Sequence, residues 1–217
     1  MPVSTLRCTI LVDNTAPETL SAEHGLAIWI EADTRKILWD TGQGSALFPN
    51  ARSLGIDLGA TEILALSHGH YDHSGGMAEI FGLSPCCRVY AHRAVTMKRY
   101  SIREGIARDI SMPPTAVEAI EGLDATRRLW MTGDIALFPG AHLSTTISRG
   151  NIYEDSGGPF YADPEGIQPD ILPDDTALWF ETPKGLVICT GCCHAGLINT
   201  IRHIEKRAPG APVYAIM

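Results

Sequence analysis

The sequence predicts a layered α/β fold in which β-sheets form the interior and helices cover them. Runs rich in β-branched and aromatic residues come first in each half of the chain, and a segment with helical periodicity closes each half. Hydrophobic residues make up 45% of the 217 residues and charged residues 19%. This composition supports a buried core and excludes a disordered chain.

The first half begins with strands separated by short polar turns. Ala32–Arg35 joins two of these strands, and Asp40-Thr41-Gly42 follows the second. The predicted strands are 7–14, 25–31, 36–39, 61–66 and 88–91, and the predicted helices are 45–54 and 76–82.

The second half is less regular at first and then returns to strands and a helix. We expect one domain spanning 1–217, with a less regular region at about 97–174. Leu197, Ile198, Ile201 and Ile204 are predicted to share the buried face of the last helix. The predicted elements are a helix at 115–121, irregular strands within 128–148, a loop at 150–174, strands at 176–181 and 186–190, a helix at 195–207 and the start of a strand at 212–217.

Charge and cysteine content limit the classes of partner. The net charge of −8 argues against nucleic acid and against an anionic membrane surface. We find no secretory signal and no apolar run of membrane-spanning length, so we expect a cytoplasmic protein with reduced thiols. Oligomeric state is not determined by the sequence. The six cysteines are Cys8, Cys86, Cys87, Cys189, Cys192 and Cys193.

Four metal-ligand side chains lie within six residues, directly after a buried strand. They are His68, His70, Asp72 and His73. Imidazole and carboxylate are preferred ligands of zinc and similar divalent ions. His68 and His70 point the same way in extended backbone, and a tight turn then presents Asp72 and His73 nearby. The spacing predicts one or two divalent ions, zinc first, with manganese or iron as the other candidates.

This His-x-His-x-Asp-His string, followed by Ser-Gly-Gly, resembles the metallo-β-lactamase fold superfamily. Asp40 in Trp39-Asp40-Thr41-Gly42 matches the first motif of that superfamily. The resemblance implies a four-layer αββα sandwich in which Asp40 braces the metal loop.

Several further segments resemble the branch of dihydropterin–ribofuranosylaminobenzene phosphate synthase-like proteins. The resemblance covers most of the chain except about 97–170. The segments are Glu23-His24-Gly25-Leu26, Val89-Tyr90-Ala91-His92, Asp174-Asp175-Thr176-Ala177-Leu178 and Thr190-Gly191-Cys192-Cys193-His194-Ala195-Gly196.

The resemblance implies that a third histidine completes the first metal site, and His194 is the candidate. Many relatives carry Gly-Asp in this part of the fold, whereas this chain has Gly191-Cys192. Cys192 is therefore either a thiolate ligand or a small buried thiol.

Other polar residues are weaker candidates for the site. His24 is expected to border the pocket, His92 is either a site residue or a packed histidine, and Asp175 is either a turn residue or a contact to substrate or ligand.

Basic residues are concentrated between Met97 and Arg108. Lys98, Arg99, Arg103 and Arg108 stand there against one acid, Glu104. The segment is either a solvated basic face or a contact for an anionic substrate such as a phosphate.

The sequence ends at Ala215-Ile216-Met217, inside a predicted strand. In the branch that it resembles, this strand runs into Gly-Gly-Phe-His-Leu, whose histidine binds the second metal. We therefore expect a domain truncated at its C-terminus, with the metal at His68, His70 and His194 held better than its neighbour.

Together these features predict a metal-dependent hydrolase or related enzyme in which metal-bound hydroxide attacks a small phosphate- or pterin-containing substrate. Asp72 is expected to steer the nucleophile. The resemblance also implies a narrower option, the condensation of a pterin with a ribosyl-aminobenzene phosphate. The alternative from another class is a metal-containing protein that binds or senses such a ligand without turnover.

Overall fold

The structure of the chain, a computed structural model, describes residues 1–154 and 158–217. Strands account for most of the regular structure in these residues. The strands are β1 (Leu6–Val12), β2 (Ala27–Ala32), β3 (Arg35–Trp39), β4 (Ile63–Ala65), β5 (Arg88–His92), β6 (Tyr100–Arg103), β7 (Ile106–Asp109), β8 (Arg128–Met131), β9 (Ile135–Phe138), β10 (Ala141–Leu143), β11 (Phe160–Tyr161), β12 (Ala177–Thr182), β13 (Gly185–Thr190) and β14 (Val213–Ile216).

Helices connect the strands and lie on the outside of the sheets. The helices are α1 (Leu47–Ser53), α2 (Tyr71–Ser74), α3 (Met77–Leu83), α4 (Pro114–Glu121) and α5 (Leu197–Glu205), with 3₁₀ turns at Leu58–Ala60 and Arg93–Thr96.

Two large sheets and one small sheet contain all the strands of the described residues. The first sheet has the order β1-β2-β3-β4-β5-β8, and the second has the order β14-β13-β12-β10-β9. The first sheet is antiparallel from β1 to β3 and parallel from β3 to β8. The third sheet, β11-β6-β7, is small and antiparallel.

The layers follow from side chains that alternate along each strand. On β2, Ile28 and Ile30 face the second sheet, where they belong to the same buried cluster as Leu178 and Phe180. On the same strand, Trp29 faces the opposite way and packs with residues of α1, α3 and α4. The first sheet is thus buried on both faces.

The second sheet is covered on its outer face by α5. Trp179 and Ile188 point away from the first sheet and pack with Ile204 of this helix. The order helix, sheet, sheet, helix confirms the predicted four-layer αββα sandwich.

The buried face of α5 differs from the one predicted. Leu197 and Ile198 are exposed, and the buried residues include Thr200, His203 and Ile204. The polar members of this face have hydrogen-bond partners: the Thr200 hydroxyl donates to Gly196 O, and a His203 ring nitrogen lies 2.9 Å from Asp134. Ile201 and Ile204 pack against the second sheet as predicted, so apolar periodicity alone identified only part of the contact face.

The region around 97–109 is more regular than the sequence indicates. β6 and β7 form a hairpin that the sequence pattern does not predict. The predicted loop at 150–174 contains β11, and its residues 155–157 lie outside the described residues.

All six cysteines are free thiols. No helix in the described part of the chain has the length and apolar character needed to cross a membrane.

Candidate metal centre

The centre lies where β4 ends and the chain turns into α2. His68 follows the strand, and His70 has extended backbone with φ −70° and ψ 150°. Side chains two residues apart in extended backbone share a side, so both imidazoles face the same cavity. Gly69, between the two histidines, packs closely against the backbone of Val95. A Cβ at this position would lie 2.0 Å from Val95 O, so the close packing requires glycine.

His194 approaches the pair from the other sheet, in the loop after β13. Its ring centroid lies 4.8 Å from that of His68 and 5.1 Å from that of His70. The ligand nitrogens of the three residues all lie within 4.8 Å of one another. The structure therefore brings His194 together with two histidines that precede it by more than 120 positions.

The nitrogens of this cluster fit a common cation. His68 Nε2 and His70 Nδ1 are 3.0 Å apart, close to the ~3.3 Å separation of two nitrogens on one tetrahedral zinc ion. The buried Nε2 atoms of His70 and His194 have no hydrogen-bond partner in the part of the chain that the structure describes. Buried polar atoms normally have partners, so the Nε2 atom of His194, which approaches the other two rings, indicates a missing ligand.

The environment keeps the three imidazoles neutral. Burial lowers the pKa of His70 to about 2 and that of His194 to about 4. Burial also holds the pKa of His68 well below its ordinary value. A metal ion needs the neutral imidazole, so these residues present free lone pairs at neutral pH.

Asp40 connects the metal loop to the end of β3. Its carboxylate accepts hydrogen bonds from Ser67 N at 2.7 Å and from Ser67 Oγ at 2.6 Å, and it lies 2.7 Å from His73 Nδ1. Burial by itself would lower the pKa of His73, but the Asp40 carboxylate raises it well above its ordinary value. Asp40 thus braces the loop and orients the His73 ring.

The residues predicted for a second ion are less convergent. Asp72 Oδ2 lies 3.7 Å from His73 Nε2 and 3.3 Å from His24 Nε2. Cys192 Sγ lies 3.1 Å from His73 Nε2, and His68, His73 and Cys192 form a second cluster with ligand atoms within 4.8 Å of one another. Cys192 is exposed, unlike the buried thiol considered in the sequence analysis.

His92 and Asp175 have local structural partners. His92 Nδ1 accepts a hydrogen bond from Ala94 N, so this ring caps the turn that follows β5. Asp175 Oδ2 accepts a hydrogen bond from Ala195 N at 2.7 Å, next to His194. Burial raises the pKa of Asp175 to about 6.

Segment 174–176 forms hydrogen bonds to both loops that carry the candidate ligands. The contact to the loop of His194 is the one between Asp175 and Ala195. Asp174 Oδ2 accepts a hydrogen bond from Gly69 N at 2.8 Å, and Thr176 N donates to Ser67 O at 2.9 Å. Arg99, 1% exposed, donates to Asp174 from both terminal nitrogens. The sequence had not distinguished Arg99 from the other basic residues near it.

A cavity of about 530 Å³ opens over the cluster. It is lined by His70, His194, Asp72, Cys192 and His24. The third sheet contributes a further part of its wall through Phe160, Ser101, Arg103, Ile106 and Arg108. Phe160, which no sequence signal marks, packs on His70 and His194 at centroid distances of 5.4 and 5.1 Å.

Comparison with known proteins agrees with this geometry. A family model described as the metallo-beta-lactamase superfamily matches residues 21–202. An uncharacterized protein of Methanocaldococcus jannaschii is 27% identical over 198 residues, covering 91% of this chain and 73% of that protein.

Two further relatives have functional descriptions. The 7,8-dihydropterin-6-methyl-4-(beta-D-ribofuranosyl)-aminobenzene-5'-phosphate synthase of the same organism is 25% identical, covering 90% of this chain and 70% of its own. A solved structure described as a metal-dependent hydrolase of the beta-lactamase superfamily has a TM-score of 0.76 and 25% identity, covering 98% of this chain and 75% of its own.

Proposed function

The chain belongs to the metallo-beta-lactamase superfamily, and from that premise we propose that it is a metal-dependent hydrolase or a closely related enzyme. The observation that carries the proposal is the convergence of His68, His70 and His194, of which His70 and His194 line a cavity. Three histidine ligands leave a fourth position open, as catalytic zinc sites do and closed structural sites do not.

The first divalent ion is proposed at these three histidines. Zinc suits an all-imidazole set, and manganese and iron are the other candidates. Asp72 and His73 are proposed to contribute to a second ion, held less well than the first. When bound, the ion supplies Lewis-acid chemistry, lowering the pKa of a coordinated water and polarising a substrate oxygen.

The protein's own groups orient the reactants. Asp72 lines the cavity with a carboxylate that is proposed to steer an attacking water. His73 keeps its position through Asp40. Phe160 covers one side of the imidazole cluster and reduces the access of bulk water to it.

The proposed substrate is a small molecule with a phosphate or pterin component. The similarity to a pterin-phosphate synthase supports this proposal, as do the two arginines on the cavity wall. A synthase-type transfer is the narrower form of the proposal, because one fold hosts many reactions.

Metal analysis of purified wild-type protein and of His68→Ala and His70→Ala tests the proposal. After growth with zinc or manganese, we expect about one or more ions per wild-type chain and nearly none in either variant. His142→Ala is the matched control, because His142 stacks on Trp179 at 5.1 Å outside the cavity. A metal-free wild type after supplementation contradicts the proposal.

Turnover then separates an enzyme from a binding protein. The metal-loaded chain is incubated with a panel of phosphate esters, lactones and pterin phosphates. Product formation that disappears in His68→Ala supports the enzyme. A ligand retained without product from any member of the panel favours the binding or sensing alternative.

A further inference from the structure

The β6–β7 hairpin presents one face to the cavity and the other away from it. Ser101 pairs with Arg108, and Arg103 pairs with Ile106. Directly opposed residues of an antiparallel pair share a face, as do residues two apart on a strand. These four side chains therefore form a single surface, and all four line the cavity.

β11 extends this surface toward the metal centre. Phe160 pairs with Ser101 on the next strand, so a row of side chains crosses the sheet from Phe160 through Ser101 to Arg108. Phe160 contacts the rings of His70 and His194. Neighbouring strands are about 4.8 Å apart, so Arg108 begins roughly 10 Å from the strand that carries Phe160.

The two arginines on this surface have no ion pair within the described residues. The salt bridges of this stretch use other residues: Lys98 pairs with Asp109 on the opposite face of the hairpin, and Arg99 is buried. The one acid that lines the cavity from the hairpin is Glu104, in its turn. Two guanidinium groups against one carboxylate leave a net positive wall in a chain of charge −8.

We propose that Arg103 and Arg108 form a subsite for a phosphate monoester carried by the substrate at a distance from the bond that reacts. The proposal rests on the proposed function, because it assigns the reacting bond to the histidine cluster. A phosphate group carries about −1.5 to −2 charges and three acceptor oxygens, which suits two guanidinium forks. A carboxylate offers one charge and leaves one fork unused.

The separation gives the subsite a role in binding. An anion held by side chains of β6 and β7, rather than by the three histidines, anchors the substrate and contributes equally to its ground and transition states. Loss of either arginine should therefore raise KM and leave kcat nearly unchanged once a substrate is known.

Calorimetric titration of the full chain with inorganic phosphate tests the subsite directly, first in metal-loaded protein. Arg103→Gln and Arg108→Gln should each raise the dissociation constant for phosphate about tenfold. Lys98→Gln should leave it unchanged, because Lys98 lies on the other face of the hairpin. Circular dichroism of each variant confirms folding. Unchanged affinity in both arginine variants overturns the proposal, and so does an equal loss in Lys98→Gln.

Two further titrations separate this proposal from neighbouring ones. Metal-stripped protein should still bind phosphate, because the arginines do not depend on the ion. Phosphate binding that vanishes with the metal places the anion on the ion and overturns the subsite. Acetate should bind at least tenfold more weakly than phosphate, and equal affinity contradicts a phosphate site. Absence of metal from wild type contradicts the proposed function alone.

Discussion

At the scale of single residues, two neighbouring basic side chains have opposite environments. Lys98 forms an exposed ion pair with Asp109 at 2.9 Å. Arg99, one position later, is 1% exposed and pairs with Asp174 and Asp170. The Asp174 carboxylate also accepts a hydrogen bond from Gly69 N, between His68 and His70. Arg99 thus contributes to the position of the metal loop through Asp174.

Removal of the buried cation should be far more costly than removal of the exposed one. Arg99→Met leaves two buried carboxylates without their partner and should lower the free energy of unfolding by about 3–5 kcal/mol. Lys98→Met should lower it by less than about 1 kcal/mol, because solvent screens an exposed pair. Urea unfolding of the metal-free protein measures both. Similar losses in the two variants would show that the Arg99 network does not stabilise the fold.

Other site residues depend on contacts that the sequence does not show. A Cβ on Gly191 would lie 2.1 Å from Ser67 Oγ, so this position accepts only glycine unless the hydroxyl moves. That hydroxyl is the group that donates to Asp40. The motif string identified the candidate ligands, and the close packing of Gly191 against Ser67 explains how the two loops that carry them are kept together.

At the scale of elements, helix α5 is capped by a side chain distant in sequence. The Glu154 carboxylate accepts hydrogen bonds from Ile198 N at 2.6 Å and from Asn199 N at 3.0 Å. These backbone groups have no partner within the helix, and the N-terminal end of a helix favours negative charge. The helix that follows His194 is thereby tied to the loop before β11.

A neutral replacement at this cap should weaken α5 measurably. Glu154→Ala should lower the free energy of unfolding by about 1 kcal/mol, because two amide donors lose their acceptor. Glu205→Ala is the matched control at the other end of the helix, where a negative charge is unfavourable, and should be neutral or slightly stabilising. Thermal denaturation compares the two variants. If the Glu154 cap contributes nothing to stability, Glu154→Ala and Glu205→Ala will have equal midpoints of thermal unfolding.

The β6–β7 hairpin shows the limit of prediction at this scale. The sequence identified the concentration of basic residues there but assigned no strand. Glu104 and Gly105 adopt positive φ angles of 52° and 75°, which allow a tight two-residue turn. Strand register then decides which basic side chains reach the cavity, and register is a property of pairing rather than of composition.

At the scale of the whole molecule, the sandwich buries charged and titratable groups together with its apolar core. His68, His70 and His194 come from strand ends of the two different sheets. Their pKa values are lowered by burial because the charged forms lose water. The global stability of the metal-free protein therefore depends on pH through these groups.

The metal-free protein should lose stability as the pH falls from about 6.5 toward 4. In this range the unfolded chain protonates its histidines, whereas His70 and His194 stay neutral in the native state with pKa values of about 2 and about 4. The unfolded state then binds more protons, so acid favours unfolding by up to ~1.4 kcal/mol per pH unit for each histidine. His73, with a raised pKa, contributes in the opposite sense and at higher pH.

Urea unfolding between pH 7 and pH 4.5 measures this slope. His194→Asn removes one of the titrating groups and should make the slope shallower by up to one proton. Substitution of the exposed His24 by asparagine serves as the comparison, with little change expected. Identical slopes in wild type and His194→Asn would contradict the assignment of a depressed pKa to His194.

The sequence by itself determined the fold class, most of the strands and the histidine-rich loop. Alternating and helical patterns report which faces are buried, and metal ligands must occur as particular residue types at short spacing. The resemblance to the metallo-β-lactamase superfamily is confirmed by the family match. The single-domain span of 1–217 stays a prediction.

Only the tertiary structure decided which distant groups meet. The approach of His194 to His68, the burial of Arg99 among two aspartates and the contact of Phe160 with two imidazoles all join segments far apart in the chain. Such contacts depend on sheet order and strand register, and one local sequence pattern is compatible with many orders and registers. Local chemistry therefore identifies the candidate ligands, and packing decides which other residues surround them.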